Sequence, residues 1–469
     1  MRPLIHFTPP QNFMNDPNGL VYLAGEYHLF YQHNPFGETW GHMSWGHAVS
    51  RDLVHWEHLP VALSEEDGVM VFSGCAVVDH ANSSGFGDGL TPPLVAIYTG
   101  HSETEQTQNI AYSRDLGRTW TKYSDNPVIA IGSREHRDPK VVWHAPSQQW
   151  IMVTVLADRH QVRFDGSPDL IHWEHLSDFG PFGAADGVWE CPDLFPLVVE
   201  GHPDETVWVL KVDVCRTVGA QVVFGDFDGA RFSVRPGTEV QRVDHGVDFY
   251  AAQSWSDTPD GRRIWLAWMS NWHYGNATPS AGWRGVFSVP REVVLRETPV
   301  GLRLAQRPIT ELRALRGGRL RVNVSDIDDA NTALAALEPL PALEMALRLD
   351  PTGARRIGVR FDHGAGQETL IVYDVAGGTL AIDRRRSGVV DFSEHFPALH
   401  VAPLALGGLP LDLEIFVDTC TIEVFAQAGA VALSDLVFPR GGLHSVSLFA
   451  EGGDPTIEAL SLWPLAPAA

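Results

Sequence analysis

The sequence predicts an all-β protein in which a five-bladed β-propeller is followed by a C-terminal β-sandwich. Three observations lead to this fold class. Residues 20–304 form short apolar runs that are separated by Gly, Pro, Asn and Asp, and no long segment has the 3.6-residue period of a helix. A hairpin motif repeats within this part of the chain. Beyond about residue 318 the strand pattern continues without that motif.

The N-terminal stretch at residues 6–19 contains three Pro, three Asn and one Asp. Prolines remove backbone donors and fix φ, so an amphipathic helix is excluded here. Asp16, Pro17 and Gly19 stand at the positions of a tight β-turn, and strands are predicted at 20–22 and 27–31. Asp16 therefore lies where a sheet begins. Taken alone, it could serve only to cap its own turn.

The repeated motif indicates how the propeller is built. The sequence Ser50-Arg51-Asp52-Leu53-Val54-His55-Trp56 returns in related form at residues 113–120 and 167–173, and a looser copy lies at residues 225–229. Ser and Asp satisfy the backbone groups of a turn, while Trp anchors the hairpin. Hairpin units of about 50–60 residues are typical of propeller blades, and about 300 residues accommodate five. We interpret these Asp and Trp residues as structural.

The sequence pattern changes where the repeated motif ends. We predict a propeller over residues 1–304, a linker over 305–318 and a β-sandwich over 319–469. Alternating apolar and polar residues predict sandwich strands at 346–349, 357–361, 369–373, 411–417, 421–425 and 445–449. No dense group of acidic residues occurs in this second part.

The amino-acid composition and net charge indicate which classes of binding partner suit the protein. The 469 residues carry a formal net charge of −24, and they include 15 Trp. Such a surface repels nucleic acid and anionic membranes, so neither is an expected partner. Aromatic side chains suit a neutral carbohydrate. The charge neither requires nor excludes an oligomer.

Metal and cofactor sites are not expected. The four cysteines have no zinc-ligand spacing. His28, His33, His42 and His47 cluster in sequence, but alternation along strands sends neighbours to opposite faces. The N-terminus lacks a signal peptide and no window has 18 uninterrupted apolar residues, so a cytoplasmic location is expected unless a leader was removed.

Three acidic motifs carry the candidate chemistry. They are Asn15-Asp16-Pro17-Asn18-Gly19, Glu135-His136-Arg137-Asp138-Pro139-Lys140 and Trp189-Glu190-Cys191-Pro192-Asp193. Each places an acid near a proline at the start of an apolar strand, and equivalent strand starts meet at one mouth of a propeller. Two close carboxylates are what retaining glycoside hydrolysis requires, and a third could hold sugar hydroxyls. Arg137 is expected to help keep Asp138 ionised. Cys191 is either a small buried residue or a weak hydrogen-bond donor near Glu190.

Together with Phe72-Ser73-Gly74, these motifs resemble the signature blocks of the glycoside hydrolase family 32 β-fructofuranosidases, in family order. The resemblance covers nearly the whole chain and implies a five-bladed propeller followed by a sandwich. It also implies that Asp16 is the nucleophile, Glu190 the acid/base and Asp138 the transition-state stabiliser.

The same resemblance implies which residues line the pocket for the terminal fructose. These are Asn15, Gln32, Trp40, Phe72, Ser73 and Arg137. Tyr250 and Trp272, from late blades, are additional candidates. For Trp40 and Trp272, packing in the core is the alternative interpretation.

The resulting expectation is an exo-acting β-D-fructofuranosidase that needs no cofactor. The loop at residues 38–47 most resembles that of exo-inulinases and levanases, which favours a fructan or short fructo-oligosaccharide over sucrose. Three alternatives stay open: a fructosyltransferase with the same three acids, a non-catalytic fructan-binding protein, and a furanosidase of a related propeller family that acts on arabinose. The sequence does not distinguish β-2,1 from β-2,6 linkages.

Overall fold

A computed structural model describes residues 2–298, 301–322 and 324–468. Within these residues the strands form five propeller blades followed by two stacked sheets, which confirms the predicted fold class. The first strands of the five blades contact one another in a closed ring, because the first blade touches both the second and the fifth.

The blades follow the order of the chain. Blade I consists of β1 (Asn12–Leu23), β2 (Glu26–Asn34), β3 (Ser44–Ser50) and β4 (Trp56–Leu63). Blade II consists of β5 (Met70–Val78), β6 (Leu94–His101), β7 (Gln106–Ser113) and β8 (Thr121–Lys122). Blade III consists of β9 (His136–His144), β10 (Gln149–Leu156), β11 (Gln161–Ser167) and β12 (Glu174–Phe179), with a 3-10 helix at Ala157–Arg159.

The last two blades close the ring. Blade IV consists of β13 (Trp189–Val199), β14 (His202–Val214), β15 (Gly219–Phe227), β16 (Phe232–Val234) and β17 (Gln241–Arg242). Blade V begins with β18 (Tyr250–Ser254) and β19 (Ile264–Trp268). The short β20 (Trp283–Arg284) then pairs in parallel with β1, and β21 (Arg291–Thr298) and β22 (Gly301–Pro308) complete blade V. The β1–β20 pair fastens the last blade to the first.

The repeated motif forms the turn between the third and fourth strands of blades I to III. Asp52 accepts the backbone N–H of His55 at 2.8 Å, and Asp169 accepts that of His172 at the same distance. Leu53 and Leu170, which follow these aspartates, have positive φ values of 64° and 67°. The looser copy makes the corresponding turn in blade IV. The structural interpretation of these residues is therefore confirmed.

Each first strand of a blade carries a β-bulge near its start. The register shifts lie at Met14–Pro17 in β1, Val71–Gly74 in β5, Arg137–Lys140 in β9, Glu190–Asp193 in β13 and Tyr250–Gln253 in β18. A bulge re-aims the side chains beside it. The predicted tight turn at residues 15–19 is wrong, because these residues lie inside β1. The bulge replaces the turn, and Gly19 takes its positive φ of 56° within the strand.

The C-terminal unit is a sandwich of two antiparallel sheets. One sheet contains β23 (Leu320–Val322), β24 (Leu343–Asp350), β29 (Leu411–Val417), β30 (Thr421–Ala426), β31 (Val431–Leu436) and β33 (Thr456–Pro464). The other contains β25 (Arg356–Gly364), β26 (Gln367–Asp374), β27 (Thr379–Arg386), β28 (Leu399–Pro403) and β32 (Ser445–Glu451). Their inner faces bury a continuous aliphatic core that includes Leu347, Val359 and Ile415. Helix α1 (Ile327–Leu334) packs against β32.

The connection between the two units includes a 3-10 helix at Thr310–Leu315. The predicted boundaries at residues 304 and 318 stay a prediction. Strand β22 runs across the first of them, and its pairing with β21 extends to Pro308.

Buried charges fasten the sandwich to the propeller. His6 contacts Asp418 through Nδ1 and Glu423 through Nε2, both at 2.9 Å. Glu423 also contacts Arg291 of blade V, which donates a 2.8 Å hydrogen bond to Asp244. All of these side chains are buried, so breaking one pair would leave an uncompensated charge in the interface.

No helix within the described part of the chain is long and apolar enough to cross a membrane.

Candidate active site

The bulged strand starts surround a cavity of about 470 Å³ at one mouth of the propeller. The cavity is lined by ten of the eleven residues predicted to form the site: Asn15, Asp16, Gln32, Trp40, Phe72, Ser73, Arg137, Asp138, Glu190 and Trp272. Tyr250, the eleventh, lies behind Glu190. The structure thus brings together residues that are up to 257 positions apart (Asn15 and Trp272), because the first-strand starts of blades I to IV and neighbouring loops meet at this mouth.

Asp16 is buried and held by neighbours on both oxygens. The Ser73 hydroxyl donates to Oδ2 at 2.6 Å, and the Asn15 amide donates to Oδ1 at 3.0 Å. Burial raises the pKa of Asp16 to about 6, and the negative charge of Glu190 acts in the same direction, while the hydrogen bonds from Ser73 and Asn15 oppose the rise. Asp16 is therefore mostly ionised at neutral pH, with little margin.

Asp138 lies in a strained part of β9 with a φ of 62°. Its Oδ2 accepts the Cys191 N–H at 2.9 Å, and its own N–H donates to the Thr99 hydroxyl at 2.9 Å. Burial raises the pKa of Asp138 to about 7, in spite of the opposing charge of Arg137, and Glu190 and Asp16 raise it further. Arg137 lowers the pKa of Asp138, as expected, but burial outweighs this effect, because Arg137 Nε is 3.9 Å from a carboxylate on a residue that is only 5% exposed.

Glu190 is the most accessible of the three acids, with 18% of its side chain exposed. Arg137 donates from Nη2 to Glu190 Oε1 at 3.1 Å, and the Tyr250 hydroxyl donates to Oε2. Arg137 also donates to Glu135 at 2.6 Å. The two contacts fix both oxygens of Glu190, so its carboxyl plane has one orientation toward the cavity.

The Cys191 thiol lies between two of the acids, Asp16 and Asp138. Its Sγ is 3.5 Å from Asp16 Oδ2 and 3.6 Å from Asp138 Oδ2. The hydrogen bond that was expected near Glu190 is thus directed to the other two acids. Cys191 has a φ of 49°, and such backbone strain is kept only where the surroundings enforce it.

A buried lysine helps to hold the Cys191 backbone in this strained conformation. Lys211 Nζ donates to the carbonyl oxygens of Cys191 at 2.9 Å and Ala252 at 2.6 Å, and it pairs with Asp213. These carbonyls belong to the bulges of β13 and β18. Lys211 therefore ties the strand that carries Glu190 to the strand that carries Tyr250.

Aromatic side chains form the outer wall of the cavity. Trp40 is 39% exposed and meets the Phe72 ring edge-on at 5.9 Å. The Trp272 ring packs against the Trp268 ring, with 5.0 Å between the ring centroids. Both Trp40 and Trp272 line the cavity, and Trp272 also packs against the core, so its two interpretations hold together. Gln32, on the floor, donates its amide to the Val71 carbonyl at 3.0 Å, which leaves its amide oxygen for other contacts.

Sequence reasoning missed six residues of the lining: His101, Gln106, Glu135, Cys215, Arg216 and Asn276. Glu135 stood in a recognised motif, and its pairing with Arg137 was the available signal. His101 stacks on Phe72 at 4.3 Å, and Asn276 accepts the Trp40 N–H at 2.8 Å. Both come from strand ends or loops that only the closed ring brings to the cavity.

Other sites are less suited to this chemistry. Among the described residues, no group of three or more His, Cys, Asp or Glu side chains is arranged to hold a metal ion. His28 and His47 instead contact each other at 3.1 Å. A larger cavity of about 760 Å³ lies at the opposite ends of the first strands, where the described lining is mainly apolar and includes Trp143 and Trp208.

Family models, curated relatives and solved structures all relate this chain to one family of glycoside hydrolases. The family model described as the glycosyl hydrolases family 32 N-terminal domain matches residues 6–308, and that of the family 32 C-terminal domain matches residues 311–464. A levanase of Bacillus subtilis strain 168 is 44% identical over 99% of this chain and 70% of its own length. An extracellular exo-inulinase of Aspergillus niger is 35% identical over 96% of this chain and 91% of its own length. The crystal structure of an exo-inulinase from Aspergillus awamori superimposes with a TM-score of 0.91 at 33% identity, and the match covers 100% of this chain and 99% of that one.

Proposed function

The chain belongs to glycosyl hydrolase family 32, and from this premise we propose a retaining reaction in which Asp16, Glu190 and Asp138 release the terminal β-D-fructofuranosyl unit of a fructan or sucrose. The activity is that of a β-fructofuranosidase, in keeping with relatives named levanase and exo-inulinase. The observation that carries the proposed roles is the convergence of the three acids on one cavity of about 470 Å³. This volume lies in the range of ordinary small-molecule pockets.

In the first step Asp16 attacks C2 of the fructosyl unit while Glu190 gives its proton to the leaving oxygen. Asp16 suits the role of nucleophile because its pKa of about 6 leaves it ionised at neutral pH. A deeply buried carboxylate is also poorly hydrated, so little water has to be removed before it attacks. The Ser73 and Asn15 hydrogen bonds hold its oxygens in place for the attack.

In the second step Glu190, now a carboxylate, removes a proton from water, and that water attacks C2 of the fructosyl-enzyme. Fructose leaves with net retention and Asp16 is regenerated. Asp138 binds hydroxyls of the ring, and its hydrogen bonds strengthen as positive charge develops there. The contacts of Glu190 with Arg137 and Tyr250 remain available in both steps, which keeps its carboxyl group aimed at the same oxygen.

The preferred substrate is a fructan or a short fructo-oligosaccharide. The aromatic wall of Trp40, Phe72 and Trp272 suits an extended neutral saccharide, because flat rings cover the apolar faces of sugars. The half-exposed position of Trp40 at the cavity edge would let it contact a unit beyond the first. A cytoplasmic location stays a prediction.

The assignment is tested with Asp16→Ala and Glu190→Ala. Each variant should lose several powers of ten in kcat on sucrose and inulin, because the two carboxyl groups act as a unit. Glu57→Ala is a matched control, since Glu57 is an exposed acid on the outer strand of blade I. Near-normal activity in either active-site variant, with thermal unfolding like that of the wild type, would exclude the proposed roles.

Analysis of the reaction products distinguishes hydrolysis from fructosyl transfer and measures the substrate preference. The wild-type enzyme should release free fructose from sucrose, inulin and levan, with a higher kcat/KM for the fructans. Accumulation of longer oligomers at high sucrose would instead indicate a fructosyltransferase that uses the same acids.

A further inference from the structure

A buried charged side chain of the sandwich reaches into blade V of the propeller, next to residues that adjoin the active-site cavity. Arg384, on β27, is fully buried and donates from Nη1 to Asp248 Oδ2 at 2.6 Å. It also donates from Nη2 to the Tyr274 hydroxyl at 2.8 Å, and from Nε to the Phe396 carbonyl at 2.8 Å. Asp248 and Tyr274 belong to blade V. Arg384 is thus shared between a sandwich strand and two propeller loops.

These partners adjoin residues of the cavity. Asp248 precedes β18 and stands two positions before Tyr250, whose hydroxyl contacts Glu190. Asp248 Oδ1 also accepts the Tyr274 hydroxyl at 2.6 Å and the Asn271 amide at 3.0 Å. One carboxylate therefore holds the start of the Tyr250 strand together with the loop at residues 271–274.

That loop presents Trp272 to the cavity. Asn271 Oδ1 accepts the His273 N–H at 3.0 Å, so the backbone on both sides of Trp272 is fixed. The His273 ring packs against His395 of the sandwich at 4.3 Å, and its Nε2 contacts the Arg216 carbonyl at 3.0 Å. Arg216 is itself part of the cavity lining. Two separate contacts with the sandwich therefore reach the same wall.

We propose that Arg384 is a positioning residue, through which the sandwich sets the place of Tyr250 behind Glu190 and of Trp272 at the cavity wall. Because it concerns the walls of the proposed active site, this inference rests on the proposed function. Arg384 acts through Asp248 and Asn271 and does not touch the substrate. It gives the sandwich a part in catalysis besides burying surface.

The test compares Arg384→Met with Arg385→Met. Arg385 is the next residue on the same strand, but it is exposed and pairs with Asp383 at 2.6 Å. Arg384→Met should lower kcat about ten-fold on sucrose and inulin and raise KM, since a displacement of about 1 Å can cost roughly 100-fold in rate. Arg385→Met should change neither constant. All assays are run well below the unfolding temperature of each variant.

A second variant, Asn271→Ala, keeps the ion pair between Arg384 and Asp248. It therefore tests the inference even if Arg384→Met does not fold. Asn271→Ala removes only the link from Asp248 to the Trp272 loop, so it should raise KM at least three-fold with kcat nearly unchanged. Arg384→Lys retains the charge and should recover part of the activity of Arg384→Met.

The outcomes are distinguishable from failure of the proposed function. If the wild-type enzyme cleaves fructans, wild-type kcat and KM in folded Arg384→Met would overturn the inference, since a purely structural role changes only the unfolding temperature. An unchanged KM in Asn271→Ala would overturn it even if Arg384→Met did not fold. A wild-type protein without activity on any fructoside would instead contradict the proposed function.

Discussion

The Ser73 hydroxyl donates a 2.6 Å hydrogen bond to Asp16, from the first strand of blade II to the first strand of blade I. Both groups are buried, with 7% of Ser73 and 8% of Asp16 exposed. A hydrogen bond to a carboxylate favours its ionised form. The contact therefore opposes the effect of burial on Asp16, and the state of the nucleophile depends on how two neighbouring blades are packed.

The pH dependence of the wild-type enzyme follows from the buried acids. Asp16 has a pKa of about 6 and Asp138 of about 7, and the proposed mechanism uses both as carboxylates. Lowering the pH protonates Asp138 first, because its pKa is the higher of the two, so kcat/KM should fall on the acid side with a midpoint at about pH 7. Rates on sucrose from pH 4 to 8 would measure this limb. A midpoint below pH 5 would contradict the proposed roles of these two groups.

Replacing Ser73 moves this limb in a known direction. In Ser73→Ala the carboxylate of Asp16 loses a donor, so its pKa should rise by about one unit, which corresponds to about 1.4 kcal/mol and is typical for a hydrogen bond to a charged group. Because Asp138 already limits the ionised fraction near pH 7, the acid limb should move by roughly a few tenths of a unit to higher pH. Ser124→Ala, at an exposed position after β8, is the control and should keep the wild-type profile. A shift of Ser73→Ala to lower pH would refute the expected effect.

The contact of Tyr250 with Glu190 can be removed without changing the ring. Tyr250→Phe should lower kcat about ten-fold, because a hydrogen bond to a charged group contributes roughly 1.5 kcal/mol or more. The packing of the ring against Trp268 at 6.4 Å should persist. Steady-state rates and the unfolding temperature distinguish a catalytic effect from a loss of stability.

Tyr112→Phe, on β7 of blade II, is the matched control for this change. It should leave kcat as in the wild type. An equal loss of rate in both variants, or none in Tyr250→Phe, would show that the Tyr250 hydroxyl does not support Glu190.

The domain interface should depend on pH through His6. Burial alone would lower its pKa, but hydrogen bonds and charge from Asp418 and Glu423 raise it to about 9. The folded pKa exceeds the unfolded value of about 6.5, so the contribution to stability is complete below pH 6.5 and is lost as the pH rises through 9. The shift corresponds to roughly 3 kcal/mol. The unfolding temperature should therefore fall between pH 6.5 and 9.

His6→Gln separates this contribution from other titrations. The variant should be less stable than the wild type at pH 6.5, and the difference between the two should shrink toward pH 9. A constant difference across this range, measured by thermal unfolding, would mean that the charge on His6 does not stabilise the interface.

The sequence by itself determined the order of the elements and the type of chemistry. The Ser-Asp-Trp repeat predicted blades because a turn motif is local, and its hydrogen bonds join residues two to four positions apart. The acids of the site were also recognisable, since each stands in a short motif at the start of an apolar strand. Arg384 gave no such signal, because its partners Asp248 and Tyr274 are more than a hundred positions away and in the other domain.

Only the tertiary structure decided the shape and charge state of the site. Residues 15–19 have the composition of a turn, but pairing of β1 with β2 holds them in a bulged strand. Arg137 directly precedes Asp138 in sequence and favours its ionised form, but the pKa of Asp138 depends more on its burial. Burial and long-range pairing result from closing five blades into a ring, and no local pattern of residues specifies them.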